Sequence, residues 1–230
     1  MKSSMKIGVF GTGMVGQALA GKLADLGHAV RVGTRDPKAT LARSEPDHFG
    51  NPPFKTWLEG RKGVELVTLA DAAAHGEILV NATGGQGSIE ALRAAGEKNL
   101  AGKVLVDVSN PLDFSRGMPP TLSVCNTDSL GEQIQKAFPE VKVVKALNTV
   151  NASLMVDPGV LAGADHSLFV CGNDAGAKQA VTELLKTFGW KDVIDLGDIT
   201  TARGTEMYLP LWLRLFGALG TPKFSVKVVR

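Results

Sequence analysis

Lys6-Ile7-Gly8-Val9-Phe10-Gly11-Thr12-Gly13-Met14-Val15-Gly16 is the stretch on which the reading of this chain turns. Residues 6–10 are a short apolar run. From Met14 to Leu26 apolar side chains recur at helical spacing, and Gly27 follows as a terminator. Residues 29–32 return to strand character. A strand, a helix and a strand within about 30 residues form the unit that yields parallel strands joined by a right-handed crossover. The alternation continues downstream. Strands are expected at 64–69, 78–82, 104–108 and 141–147, and helices at 71–75, 88–95 and 129–138. These runs lack polar alternation, which suits strands buried on both faces. The expected fold class is α/β, with a doubly wound parallel sheet.

Composition narrows the setting. The chain has 230 residues, enough for a large core, with 25 basic and 23 acidic side chains and a net charge of +2. That balance makes neither nucleic acid nor an anionic membrane a default partner. The two cysteines, Cys125 and Cys171, provide no disulfide framework and no four-thiolate metal site, so a reduced cytoplasmic setting is expected. Residues 1–6 are too polar for a signal peptide. No run of about 18 apolar residues is present; the nearest, 208–219, is interrupted by Pro210 and Arg214. The outstanding excess is glycine, 27 of 230 residues, where about 7 % is usual.

Many of those glycines fall at predicted strand ends. Gly11-Thr12-Gly13-Met14-Val15-Gly16 satisfies G-x-G-x-x-G directly after a strand and at the opening of a helix. Gly11 permits the tight turn, Gly13 lets the backbone approach a pyrophosphate, and Gly16 allows helix to pack closely on strand. The helix N-terminus then offers unpaired N–H groups to the anion. At the end of the second strand, where a carboxylate would hold a ribose 2′-hydroxyl, the chain reads Gly33-Thr34-Arg35-Asp36. Thr34 and Arg35, assisted by Lys38, suit a 2′-phosphate and favour NADP(H). In the competing reading Asp36 is the ribose ligand, and a third possibility is that Asp36-Pro37 only starts the next helix. A further cluster, Thr83-Gly84-Gly85-Gln86-Gly87, follows the fourth strand and borders the crevice. Ser109-Asn110-Pro111 closes the fifth, where Asn110 either contacts the cofactor or caps a turn.

The expected organisation is therefore a Rossmann dinucleotide-binding domain over residues 1–150 and a small C-terminal α/β lobe over 151–230, packed on the sheet. In that lobe, strands at 167–171 and 192–196 flank a helix at 175–188, and an apolar helix covers 207–219. Residues 44–63, with Pro46, Pro52, Pro53 and Trp57, read as an irregular insertion in which Trp57 either stacks on adenine or shields solvent. The apolar tail helix either covers the acceptor pocket, forms a homodimer seam, or packs on its own sheet.

Taken together, Phe10 to Gly16, Val32-Gly33-Thr34-Arg35, Val143 to Val150, Val170-Cys171-Gly172-Asn173-Asp174, Ala202-Arg203, Glu206 and Pro210-Leu211 resemble the coenzyme F420-dependent NADP oxidoreductases. The chain is also similar to the oxidoreductase domain of the six-transmembrane ferric reductases. The resemblance implies NADP(H) as cofactor, with Thr12, Thr34 and Arg35 at the 2′-phosphate. It places Gly13, Met14 and Val15 along the pyrophosphate, and Ala82 and Thr83, followed by Gly84, on the adenosine side. It also implies a second redox ring, deazaflavin or flavin, stacked on the nicotinamide. Asn148 stands where the deazaflavin-reducing members carry histidine, and asparagine followed by threonine resembles the ferric-reductase domains, whose membrane electron transfer is not implied here.

No side-chain constellation proposes acid–base or metal catalysis. His28, His48, His75 and His166 read as surface or capping residues. No metal-ligand spacing occurs, and no G-x-S-x-G elbow. This fits direct hydride transfer between two rings, for which the protein aligns donor and acceptor and excludes water. Ser109, Asn148 and Thr149 are the candidates lining the acceptor pocket, with no catalytic residue as such. Two alternatives remain. One is an NADPH-dependent reductase of a small imine or carbonyl, with Ser109, Asp113, Lys145 or Tyr208 as proton donor. The other is a non-catalytic NADP(H)-sensing module.

Overall fold

The computed structural model describes residues 4–46 and 50–230. Its strands are β1 (Lys6–Phe10), β2 (Ala29–Thr34), β3 (Val64–Thr68), β4 (Ile78–Asn81), β5 (Val104–Asp107), β6 (Leu112–Asp113), β7 (Thr121–Leu122), β8 (Lys142–Ala146), β9 (Ser167–Cys171) and β10 (Asp192–Asp195). Eight of them form one sheet in the order β10-β9-β8-β5-β4-β1-β2-β3, and β6 and β7 make a separate antiparallel pair. From β3 to β8 all neighbours are parallel. These six strands therefore stand in the 3-2-1-4-5-6 order of a doubly wound dinucleotide-binding sheet. Beyond them, β9 pairs antiparallel with β8, and β10 parallel with β9. Residues after 150 thus lengthen the same sheet.

The helices are α1 (Met14–Asp25), α2 (Pro37–Ala42), α3 (Phe54–Glu59), α4 (Leu69–His75), α5 (Ser88–Ala95), α6 (Glu97–Leu100), α7 (Leu130–Ala137), α8 (Ala152–Val156), α9 (Ala175–Phe188), α10 (Ala202–Met207) and α11 (Leu209–Leu219). Successive strand residues point to opposite faces, and here both faces are covered. Ile7, Val9, Val80, Val106 and Val144 pack with Leu19 and Leu23 of α1 and Val181 and Leu185 of α9. Phe10, Leu79, Leu105 and Val143 pack with Ala72 of α4, Leu92 of α5 and Ile134 of α7. By that parity Asn81, Asp107 and Lys145, one residue beyond or within these runs, turn to the second face.

Several elements differ from the sequence reading. Residues 44–63 are not wholly irregular. Pro53 precedes α3, where Phe54, Trp57 and Leu58 share one side and join the first core. Trp57 meets the Phe54 ring at 5.1 Å and carries the Arg61 guanidinium over its own ring at 5.7 Å. Leu69 opens α4 instead of ending β3, because the Thr68 hydroxyl caps the helix by accepting from the Asp71 N–H at 3.1 Å. The tail helix expected at 207–219 is α11, which begins at Leu209 with Pro210 in its first turn and follows α10 across Tyr208. His28 and His166 are buried instead of lying at the surface. His28 accepts from the Met5 N–H at 3.2 Å, and burial lowers its pKa. His166 packs edge-on against Trp190 at 4.9 Å. His48 lies outside the described residues. Among the described residues no helix is long and apolar enough to cross a membrane.

Candidate functional site

A cleft of about 650 Å³ opens at the carboxyl ends of the strands, where the order reverses between β1 and β4. Ligands of open α/β sheets bind at such a switch point. Its wall is supplied by Gly11, Thr12, Gly13 and Val15 after β1, Gly33, Thr34 and Arg35 at the end of β2, and Ala82 to Gly87 after β4. Val108, Ser109 and Asn110 after β5 complete it, with Leu112 and Phe114 from the β6 segment, Leu69 at the start of α4, and Glu90 and Ala91 of α5.

The glycine motif makes the first part of this wall by three different means. Gly11 has φ +115°, and a Cβ there would stand 2.5 Å from the Ala82 carbonyl oxygen. A Cβ on Gly16 would stand 2.1 Å from the Gly11 carbonyl oxygen, so α1 packs on β1 as closely as backbone allows. A Cβ on Gly13 would meet nothing within 4 Å. The space beside Gly13 is open cleft. Gly13 is also the N-cap of α1, which has no capping side chain and no acidic residue in its first turn. Side chains cap α2, α4, α7, α8 and α9, while α3, α5, α6, α10 and α11 share the uncapped start of α1 but not its Gly13 N-cap on the cleft. The free N–H groups and dipole of α1 therefore face a space suited to an anion.

At the end of β2, Thr34 and the exposed Arg35 are on the wall. Asp36 is engaged elsewhere: its carboxylate accepts from the Ala39 N–H at 3.0 Å and starts α2. Lys38, exposed on the first turn of α2, is not on the wall, and neither are the half-exposed Met14 and the inward-turned Gly16.

Beneath the far end of the cleft lies a buried polar network that the sequence reading missed. Register pairs Asn81 with Asp107 and Asp107 with Lys145 on adjacent parallel strands. The Lys145 ammonium, fully buried, donates to Asp107 Oδ2 at 2.8 Å, Glu206 Oε1 at 2.7 Å and the Ser109 carbonyl at 2.7 Å. Its three donors are thus satisfied. Burial alone would push its pKa down; the two carboxylates reverse this and hold it above the usual lysine value. Asp107 Oδ1 accepts from Asn81 Nδ2 at 2.9 Å, the Ser109 N–H at 3.2 Å and the Ser109 hydroxyl at 2.6 Å. Glu206, from α10, also accepts the Leu130 and Gly131 N–H groups at 2.8 and 3.0 Å, at the start of α7. The available signal was a charged or amide residue closing or interrupting each apolar strand, in Val80-Asn81, Val106-Asp107 and Val144-Lys145.

Of the three candidates for the acceptor pocket, only Ser109 is on the wall. Asn148 and Thr149 are buried and do not line it. The Asn148 side chain donates to Asn110 Oδ1 at 3.0 Å, and Asn110 Nδ2 donates back to the Asn148 carbonyl at 3.0 Å. Asn148 therefore fixes Asn110, which is on the wall, instead of facing a ligand itself.

The four candidate proton donors are no better placed. Ser109 gives its proton to Asp107, and Lys145 is sealed. The Ser115 N–H holds the Asp113 carboxyl below the usual range, so it is ionised near neutral pH. Tyr208 is not on the wall, and burial raises its pKa. Among the described residues no cluster of His, Cys, Asp and Glu could hold a metal ion.

The family model for "NADP oxidoreductase coenzyme F420-dependent" matches residues 6–111. A crystal structure from Arthrobacter sp. FB24, provisionally described as an F420-dependent NADP-reductase, superposes with a TM-score of 0.95. It is 66% identical, covering 99% of this chain and 100% of that one. The chain belongs to the coenzyme F420-dependent NADP oxidoreductase family. It is accordingly an NADP-dependent oxidoreductase with a Rossmann-type α/β fold. It is 27% identical to the F420-dependent NADP reductase of Methanocaldococcus jannaschii, over 92% of each chain. It is 29% identical to the rat metalloreductase STEAP3 over 92% of this chain, and spans 38% of that protein's length. A reductive aminase from Aspergillus terreus, solved with NADPH, is 17% identical with a TM-score of 0.62 over 94% of this chain and 63% of that one, and shares the fold.

The residues present fit the dinucleotide: an open cradle at Gly13, an uncapped helix start, and a hydroxyl and a guanidinium at the end of β2.

Proposed function

We propose that the protein transfers hydride between NADPH and a stacked deazaflavin (coenzyme F420) or flavin-type acceptor. The observation that supports this reading is that none of the four candidate proton donors, Ser109, Asp113, Lys145 and Tyr208, offers a free proton at the wall. Ser109 donates to Asp107, Lys145 is enclosed, Asp113 is ionised and Tyr208 is off the wall. When bound, the nicotinamide and the acceptor ring supply the redox chemistry themselves. The chain's part is to bind, align and exclude water. Val108, Leu112 and Phe114 give the inner wall an apolar surface against which an aromatic acceptor packs.

In the same reading, Thr12, Thr34 and Arg35 hold the 2′-phosphate. The backbone of Gly11, Gly13 and Val15 follows the pyrophosphate, Ala82, Thr83 and Gly84 flank the adenosine side, and Asn110 faces the nicotinamide end. Residues 1–150 form the cofactor half, and 151–230 the smaller lobe that buttresses it through Glu206. The exposed apolar side chains of α11, Leu211, Phe216 and Leu219, support a homodimer seam. The nearly balanced charge and the short apolar helices support a cytoplasmic protein.

Stopped-flow mixing of NADPH with coenzyme F420, FMN and FAD tests the function. Rapid NADPH oxidation by at least one ring acceptor is expected. No oxidation with any of the three refutes it.

A further inference from the structure

Every polar atom of Ser109 is turned toward one buried ion pair. Its N–H and its hydroxyl both donate to Asp107 Oδ1, at 3.2 and 2.6 Å, and its carbonyl accepts from Lys145 Nζ at 2.7 Å. A carboxylate only accepts, so the hydroxyl proton has one destination. The Lys145 ammonium lies 2.8 Å from the other Asp107 oxygen, and Glu206 holds that ammonium in turn at 2.7 Å. The Asn81 amide lies at 3.5 Å from Ser109 Oγ, the limit of a hydrogen bond. Ser109 nevertheless lines the cleft. Its hydroxyl oxygen keeps a lone pair, while its proton is committed to Asp107.

We propose that Ser109 reads the carboxamide N–H of the nicotinamide, as a hydrogen-bond acceptor whose direction is set by Asp107 and Lys145. Ser109 is then the residue that distinguishes the carboxamide from a group of similar shape lacking an N–H. Asp107 and Lys145 are positioning residues that act through it, and Glu206 completes their cage. The inference rests on the reading of this cleft as an NADP(H) site.

The test is calorimetric binding, without turnover, of three probes. 2′,5′-ADP occupies the adenosine half alone, NADP⁺ carries the carboxamide, and the 3-acetylpyridine analogue of NADP⁺ replaces its amide nitrogen with methyl. In the wild-type protein the analogue is expected to bind about tenfold more weakly than NADP⁺, the loss of one net hydrogen bond. Ser109→Ala should bring the two within twofold, and Ser109→Thr, which keeps the hydroxyl, should restore the difference. Lys145→Met should also erase it while 2′,5′-ADP affinity stays within twofold of wild type. If Lys145→Met does not fold, the Ser109→Ala and Ser109→Thr pair decides alone. Discrimination that survives Ser109→Ala overturns the proposal, as does a parallel loss of 2′,5′-ADP binding in the variants. Failure of the wild-type protein to bind 2′,5′-ADP would instead overturn the underlying cofactor reading.

Discussion

Two glycines three residues apart, Gly13 and Gly16, should respond to the same added methyl group in opposite ways. In Gly16→Ala the new Cβ would stand 2.1 Å from the Gly11 carbonyl oxygen and 2.9 Å from its carbon. Both are backbone atoms, which cannot rotate aside, so α1 must lift from β1 by roughly 1 Å to regain ordinary contact. Overpacking of this kind costs about 3 kcal/mol at its upper end. Alanine returns about 1 kcal/mol of helix propensity. The net loss is about 2 kcal/mol, which for a chain of this size lowers Tm by roughly 4–8 °C.

In Gly13→Ala the Cβ meets nothing within 4 Å, and the backbone, at φ −75° and ψ −178°, is open to alanine. Its stability should change by less than about 1 kcal/mol, the span of N-cap preferences. The methyl instead enters the space into which the helix start projects its N–H groups. Crowding a close backbone–phosphate approach by about 1–3 kcal/mol weakens NADPH roughly 5- to 150-fold. Thermal melts followed by circular dichroism, together with calorimetric titration of NADPH, read both effects. A Gly16→Ala protein that melts with wild type, or a Gly13→Ala protein that binds NADPH as wild type does, refutes the division of labour.

Other consequences follow from single contacts. Arg35→Ala should weaken NADPH about 10- to 100-fold, the value of a charged hydrogen bond to phosphate, and leave NADH within threefold; equal losses in paired titrations exclude the 2′-phosphate role. Asp36→Ala should cost about 1 kcal/mol of stability through loss of the α2 cap, with the NADH affinity unchanged; a selective loss of NADH binding in the same titration would make Asp36 the ribose ligand instead. Glu132 accepts from Arg203 Nε at 2.8 Å and Nη2 at 2.5 Å, and this pairing holds its carboxyl below the usual glutamate range. A folded-state pKa below the unfolded one adds stability at neutral pH that disappears as pH falls through the folded value. Urea unfolding of wild type and Glu132→Gln should therefore differ by about 1 kcal/mol at pH 7 and converge on acidification below the ordinary glutamate range; a pH-independent gap would contradict it. Cys125 is exposed, whereas Cys171 is buried and its thiol is pushed up by that burial. Iodoacetamide on the native protein should modify one thiol, and mass spectrometry showing two would refute the burial.

Legibility varied with the range of the cause. The strands were readable because burial on both faces of a parallel sheet demands uninterrupted apolar runs, as in Ile78-Leu79-Val80 and Val104-Leu105-Val106. The glycine end of the cleft was readable because its geometry is local: Gly11, Gly13 and Gly16 act within one turn. Thr34 ends its own strand and Arg35 follows it directly. Errors arose where a side chain decided a boundary, as with Thr68 capping α4, or where three residues at helical spacing, Phe54, Trp57 and Leu58, found a core to pack on. Lys145 was misread for a further reason. A lysine in an apolar strand admits both a proton donor and a buried cation, and only its neighbours separate the two.

What the sequence by itself determined is the doubly wound sheet, the crevice at its reversal point and a backbone cleared for a phosphate-bearing dinucleotide. Each follows from periodicity or from a turn that a few adjacent residues dictate. What only the tertiary structure decided is the chemistry at the other end of the cleft. Asp107, Lys145 and Glu206 are separated by 38 and 61 residues of chain, and they meet because β5 pairs with β8 and α10 folds back over α7. Whether Ser109 gives or receives a hydrogen bond depends on which of its neighbours is charged. That is a property of three-dimensional proximity, and no local pattern of residues encodes it.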